Sequence, residues 1–194
     1  MVAAAEAMMG VALRNPRYFS TEEYLSYEQQ VGERQEYVNG VIYAMVGGTD
    51  RHNLIAGNIY FALRGQLPAT CQVFQQGMKV RIRTDIGEAQ YYPDVFASCT
   101  EADRETLFRE SPCMIVAVLS PSTESDDRQG KFALYRTIPM LEQYILVAQD
   151  VPQVEVFARG KAWKPDILFR GDKIDVCGGR AQLTVDGIYE GITF

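Results

Sequence analysis

The chain is 194 residues long, 47% hydrophobic and 23% charged, a composition that supports an ordinary folded core and excludes a chain disordered throughout. Its formal net charge of −6 excludes indiscriminate coating of nucleic acid, although a local basic surface can still meet phosphate. No apolar run reaches the roughly 18 residues of a bilayer crossing and no basic leader precedes the first apolar stretch, so cytoplasmic residence without a membrane partner is expected.

Residues 1–17 are rich in alanine but carry Glu6, and they read as a flexible or loosely docked extension ahead of a single domain over 18–194. Ser20-Thr21-Glu22-Glu23 has the pattern of a capping box, which predicts a first helix ending near Val31. Two short apolar runs around Tyr37 and Ile42 then flank Asn39-Gly40, the pair that best tolerates the positive φ angles of a two-residue hairpin turn. Thr49 caps a second helix in which Leu54, Ile55, Ile59, Ala62, Leu63 and Leu67 recur at helical spacing until Pro68 ends it.

Strands are predicted over 72–75, 78–83, 94–98 and 113–119. A third helix should follow over 124–137, started by Thr123 and stopped before Pro139. Runs at 143–148, 154–159, 164–169 and 181–185 complete a late set of strands. This order predicts an α/β (α+β) fold, a mixed curved sheet flanked by helices, whose late strands offer a surface for a homodimer because sheet edges need cover.

Cys71, Cys99, Cys113 and Cys177 are widely spaced and contain no CxxC pair, and His52 is the single histidine, so a zinc module and a Cys-His nucleophile both lack support. The cysteines read as four reduced thiols. Ser120-Pro121-Ser122-Thr123 lacks the flanking glycines of a nucleophile elbow and reads as a strand-to-helix turn. Lys79, Arg81 and Arg83 alternate with Val80 and Ile82, which places three cations on one strand face. That face is either a stripe that tracks nucleic-acid phosphates or a solvated outer surface. Asp127 and Lys131 stand four apart on the third helix, close enough for an ion pair, and Asp94 begins a strand after a proline, where a carboxylate can enter a cleft.

Tyr92-Pro93-Asp94-Val95, Val118-Leu119-Ser120-Pro121-Ser122-Thr123, Asp127-Arg128 and Lys131-Phe132-Ala133-Leu134-Tyr135-Arg136 together resemble the Uma family of bacterial restriction-endonuclease-like proteins, within the PD-(D/E)XK nuclease superfamily. Arg34 to Gly40, His52, and the segment from Ile138-Pro139 through Tyr144-Ile145-Leu146-Val147 extend the resemblance across about residues 18–189. The resemblance implies a restriction-endonuclease-like fold and hydrolysis of nucleic-acid phosphodiester bonds, DNA foremost, with Mg2+ or Mn2+. It assigns Asp94 to the metal and Lys131 to catalysis.

The family's usual glutamate within Val-Glu-Val-Leu-Ser-Pro is Ala117 here, so a second acidic ligand is missing from its place. Glu36 is the substitute expected as metal ligand and catalytic acid, with Glu88, Glu124 and Asp127 behind it. Two readings stay open: an endonuclease whose activity is weakened or lost at Ala117, and a catalytically inactive nuclease-fold module that binds nucleic acid or a protein partner.

Overall fold

A computed structural model describes residues 18–45 and 47–194, so the extension expected over residues 1–17 lies outside the described residues. Helix α1 (Thr21–Val31) starts on the complete capping box: Ser20 Oγ accepts from the Glu23 amide, and Glu23 Oε2 accepts from the Ser20 amide. Strands β1 (Gln35–Val38) and β2 (Val41–Ala44) form the expected hairpin, with Asn39 at φ 47° and Gly40 at φ 91° making its turn. Helix α2 (Asp50–Gln66) is capped by the Thr49 hydroxyl, which accepts from the His52 amide. Among the described residues no helix is long and apolar enough to cross a membrane.

Eleven further strands follow: β3 (Gln72–Gln75), β4 (Lys79–Thr84), β5 (Gly87–Tyr91), β6 (Val95–Ser98), β7 (Phe108–Arg109), β8 (Met114–Val118), β9 (Gln143–Val147), β10 (Val154–Ala158), β11 (Pro165–Leu168), β12 (Lys173–Val176) and β13 (Ala181–Thr184). They join the hairpin in three sheets, ordered β2-β1-β5-β4-β7, β11-β10-β9-β8-β6-β3 and β12-β13. The two larger sheets are mixed, since β4 runs parallel to β7 and β8 parallel to β9 while their other pairings are antiparallel. Strand β5 escapes sequence reading because Gly87, Glu88 and Gln90 depress its strand signal. Pairing with β1 and β4 on either side holds it in the sheet despite that propensity.

The parallel β8 and β9 are joined through helix α3, which contains three consecutive segments: α-helical Glu124–Asp126, π-helical Asp127–Lys131 and α-helical Phe132–Tyr135. Thr123 is the N-cap residue as expected, but its hydroxyl makes no capping hydrogen bond and lies 2.9 Å from that of Ser120. A short helix α4 (Val185–Ile188) closes the order.

Strand β8 is buried on both faces, which is why its sequence is a continuous apolar run rather than an alternation. Met114, Val116 and Val118 pack with Ile55, Ile59 and Leu63 of α2. Ile115 and Ala117 face the other way, among Tyr135, Tyr144 and the five-stranded sheet's Val80, Ile82 and Tyr91. Strand β6 alternates in step, with Val95 and Ala97 toward α2 and Phe96 toward the opposite layer. The period of two therefore sends position 94, just ahead of β6, to the same side as Ala117 and α3.

The cysteines are not the four free thiols expected: Cys71 is bonded to Cys99 and Cys113 to Cys177. The antiparallel register Gln72↔Ser98 sets Cys71 beside Cys99, and the β12 end carries Cys177 to Cys113. Spacing along the chain contains neither fact, because both pairings are made by strand placement.

Candidate active site

Residues from β1, the start of α2, the segment before β6, the end of β8 and α3 line one cleft of about 800 Å³. Asp94 lines it, and its Oδ2 accepts from the Val118 amide at 2.8 Å while Oδ1 lies 3.2 Å from His52 Nε2. Strand β6 supplies the first of these contacts by pairing with β8, and the first turn of α2 supplies the second. Burial disfavours a charged imidazole, but hydrogen bonding and attraction to Asp94 outweigh it and hold His52 above its ordinary pKa. His52 thus acts on Asp94 as a polar packing partner.

Opposite, the register Val95↔Val116 continues to place Asp94 beside Ala117, whose methyl group lines the cleft where an acid is absent. Glu36 enters from β1, because its neighbours Gln35 and Tyr37 are buried on the other side of the strand. Glu36 Oε1 accepts from Lys131 Nζ at 2.9 Å, and Asp127 Oδ1 lies 3.5 Å from the same ammonium. The π-helical turn brings Asp127 and Lys131 together, a local widening of the kind that often re-aims side chains at functional sites. Lys131 Nζ also sits 5.3 Å from the centroid of the Tyr91 ring.

The electrostatics of this group follow from a surplus of acids. Burial alone would depress Lys131, yet attraction to Glu36 and Asp127 raises it above the usual lysine range, so it is a fixed cation. Burial lifts Asp126 to about 6, with Lys131 opposing and repulsion from Asp127 and Glu36 adding. Asp127 is raised as well, by burial first, against Lys131 and a Thr123 hydrogen bond, with Asp94 and Glu36 repelling it.

The three residues expected for metal and catalysis, Asp94, Glu36 and Lys131, therefore line one cleft. Of the other acids considered, Asp127 joins them, whereas Glu88 is paired with Arg81 at 2.7 Å and Glu124 with Arg128 at 2.8 Å. Asp126, Arg34 and Gln149 are further lining residues that sequence reading missed. The consecutive acids Asp126-Asp127 were the available signal for the first, but an ideal 3.6-residue period does not anticipate the π turn that begins at Asp127, directly after the buried Asp126.

Lys79, Arg81 and Arg83 do not join the cleft, and they are not an open phosphate-tracking stripe. Lys79 is buried against Glu28, Arg81 pairs with Glu88, and Arg83 lies 3.2 Å from Glu110. The reason is position: β4 is internal to its sheet, and acids from α1, β5 and the segment after β7 meet its cations.

A family model described as Uma2, putative restriction endonuclease, matches residues 21–179. The uncharacterized protein slr1290 of Synechocystis sp. (strain ATCC 27184 / PCC 6803 / Kazusa) is 34% identical over 180 residues, which cover 90% of this chain and 93% of that protein. The uncharacterized protein sll1609 of the same organism is 31% identical over 156 residues, with coverage of 78% and 86%. A crystal structure described as a putative nuclease belonging to DUF820, from Anabaena variabilis ATCC 29413, superposes with a TM-score of 0.67 at 16% identity, covering 88% of this chain and 97% of that one. That last likeness is one of fold.

Proposed function

Because the chain belongs to the Uma2 family of putative restriction endonucleases, we propose that its cleft hydrolyses phosphodiester bonds of nucleic acid, DNA foremost, with magnesium or manganese. The observation that carries this reading is the convergence of Asp94, Glu36 and the Asp127–Lys131 pair from three separate parts of the fold onto one cleft. Cytoplasmic residence, and pairing of two copies along the free edge of β11, accompany it.

The donors suit a hard cation. Asp94, Glu36, Asp126 and Asp127 offer carboxylate oxygens, and Lys131 is the ammonium among them, so added positive charge offsets the repulsion that adds to burial in raising Asp126 and Asp127. Among the described residues no three carboxylates stand close enough to form a closed cage. Magnesium tolerates that, since it takes one or two carboxylates and completes its shell with water and substrate phosphate. Asp94 would hold the cation, with Glu36 and Asp127 as the further donors.

A bound cation supplies polarisation of the phosphate and a lowered pKa for attacking water. Lys131, fixed between Glu36 and Asp127, stabilises negative charge that develops on a phosphate oxygen. His52 and the Val118 amide keep Asp94 aimed into the cleft. Ala117 contributes no donor, which lowers the rate relative to a site with an acid there. That same residue favours the second reading, a module that binds nucleic acid without cleaving it.

Calorimetric titration with manganese, run beside cleavage of plasmid and single-stranded DNA, tests the proposal. Cation binding and cleavage that both disappear in Asp94→Ala support a nuclease. DNA binding that needs neither cation nor Asp94 supports the module.

A further inference from the structure

The strands that carry the cleft have a second chemical cluster at their opposite ends. Asp94 precedes β6 and Cys99 follows it; Ala117 lies near the end of β8 and Cys113 precedes its start. Cys71, ahead of β3, and Cys177, behind β12, complete the set. Cys71, Cys113 and Cys177 are buried, while Cys99 is partly exposed.

The two disulfides are in contact. Cys99 Sγ lies 3.9 Å from Cys113 Sγ, and the sulfurs of Cys99, Cys113 and Cys177 all lie within 4.8 Å of one another. Bonds that close separate loops across 28 and 64 residues have no need to meet. Four sulfurs gathered from four elements are, however, the donor set of a closed thiolate metal site. With Zn–S bonds of about 2.3 Å, a tetrahedron of sulfurs has edges of roughly 3.8 Å. The 3.9 Å between Cys99 and Cys113 matches that edge, and Cys71, which is outside the group of three close sulfurs, is carried to it by its bond to Cys99.

We propose that Cys71, Cys99, Cys113 and Cys177 form a redox-controlled zinc site, in which the reduced cysteines bind zinc through four thiolates and the disulfide-bonded form is the oxidised, metal-free state. Sulfur donors without carboxylate or imidazole select a thiophilic cation, and four protein ligands leave no position for substrate, so the site is structural. It ties the β12-β13 hairpin to the ends of β3, β6 and β8 through Cys177. Partly exposed Cys99 is where a reductant first gains access.

The conversion balances with a dithiol as reductant. Two dithiols give two electron pairs and four protons to the two disulfides and become disulfides themselves, leaving four cysteine thiols. Zinc then takes four thiolates, and the four protons pass to solvent.

The test uses the full chain, reduced anaerobically with a dithiol that is removed by gel filtration, and titrated with cobalt(II) and then zinc. The expected result is about one metal per chain, an intense visible cobalt band of tetrahedral thiolate type, its loss on zinc addition, and zinc protection of the thiols from alkylation. Oxidation by two equivalents of a small-molecule disulfide, which is itself reduced to thiols, should release the metal as the two protein disulfides form, and Cys99→Ser or Cys177→Ser should weaken retention at least tenfold. Circular dichroism in parallel separates the outcomes. A reduced chain that stays folded without taking up metal, or that unfolds and is not restored by zinc, overturns the proposal; a pale octahedral cobalt spectrum, the signature of carboxylate binding in the cleft, also contradicts it.

Discussion

Lys131 reaches across the cleft to Glu36, with Nζ 2.9 Å from Oε1, and so ties the π-helical turn of α3 to the first hairpin over 95 positions of sequence. Only 12% of the lysine side chain and 14% of the glutamate side chain are exposed, so each charge is largely withdrawn from water and is compensated by the other.

Removing one partner should therefore cost more than removing both. Lys131→Met strands Glu36 and Asp127 and is expected to destabilise the chain by about 3 kcal/mol in urea unfolding, whereas Glu36→Gln combined with Lys131→Met recovers a large part of that loss. Additive losses in the double variant would show that the pair is not coupled.

The pH dependence has a definite sign. Asp126 is raised from 3.8 to about 6, so between those values the folded chain holds more protons than the unfolded one and stability falls as pH rises. Asp126→Asn should flatten this fall and stabilise the chain at neutral pH by about 2 kcal/mol, with little effect below pH ~4, when unfolding is followed in a chelator.

Gly130 gives a prediction opposite to the helix scale. Alanine in place of a helical glycine ordinarily stabilises by about 1 kcal/mol, but a Cβ here would overlap Asp126 Oδ1 inside the π turn. Gly130→Ala is expected to destabilise by about 1–2 kcal/mol and to reduce cleavage along with it, as read by thermal unfolding and plasmid nicking.

The cations of β4 should separate by burial. Lys79→Ala removes the partner of Glu28 and the cation over the Tyr24 ring, and is expected to cost about 3 kcal/mol of stability. Arg83→Ala, at an exposed position paired with Glu110, should change DNA affinity by less than about twofold in a salt titration.

The local devices of the fold were legible because they are written in adjacent residues: the Ser20 capping box, the Asn39-Gly40 turn, the helical spacing of α2 and the unbroken apolar run of β8. Asp94, Glu36 and Lys131 were legible through a resemblance, and the structure places all three at one cleft. What escaped depends on placement. Gln90 is buried on a strand whose propensity is poor, Lys79 meets an acid 51 positions away, and the cysteines meet through strand register. The pairing of Asp127 with Lys131 was legible in their spacing, but its burial was not, since an i,i+4 pair is usually a surface contact and here it lies in a buried π turn.

The most direct measurement is the rate of plasmid nicking with manganese for the native chain, Asp94→Ala and Ala117→Glu side by side. The account predicts weak cleavage by the native chain, at least a hundredfold less in Asp94→Ala, and a gain of tenfold or more in Ala117→Glu, where a carboxylate would stand beside Asp94. Cleavage that is indifferent to Asp94, or a folded Ala117→Glu chain that binds manganese no better and cuts no faster than the native one, would contradict it.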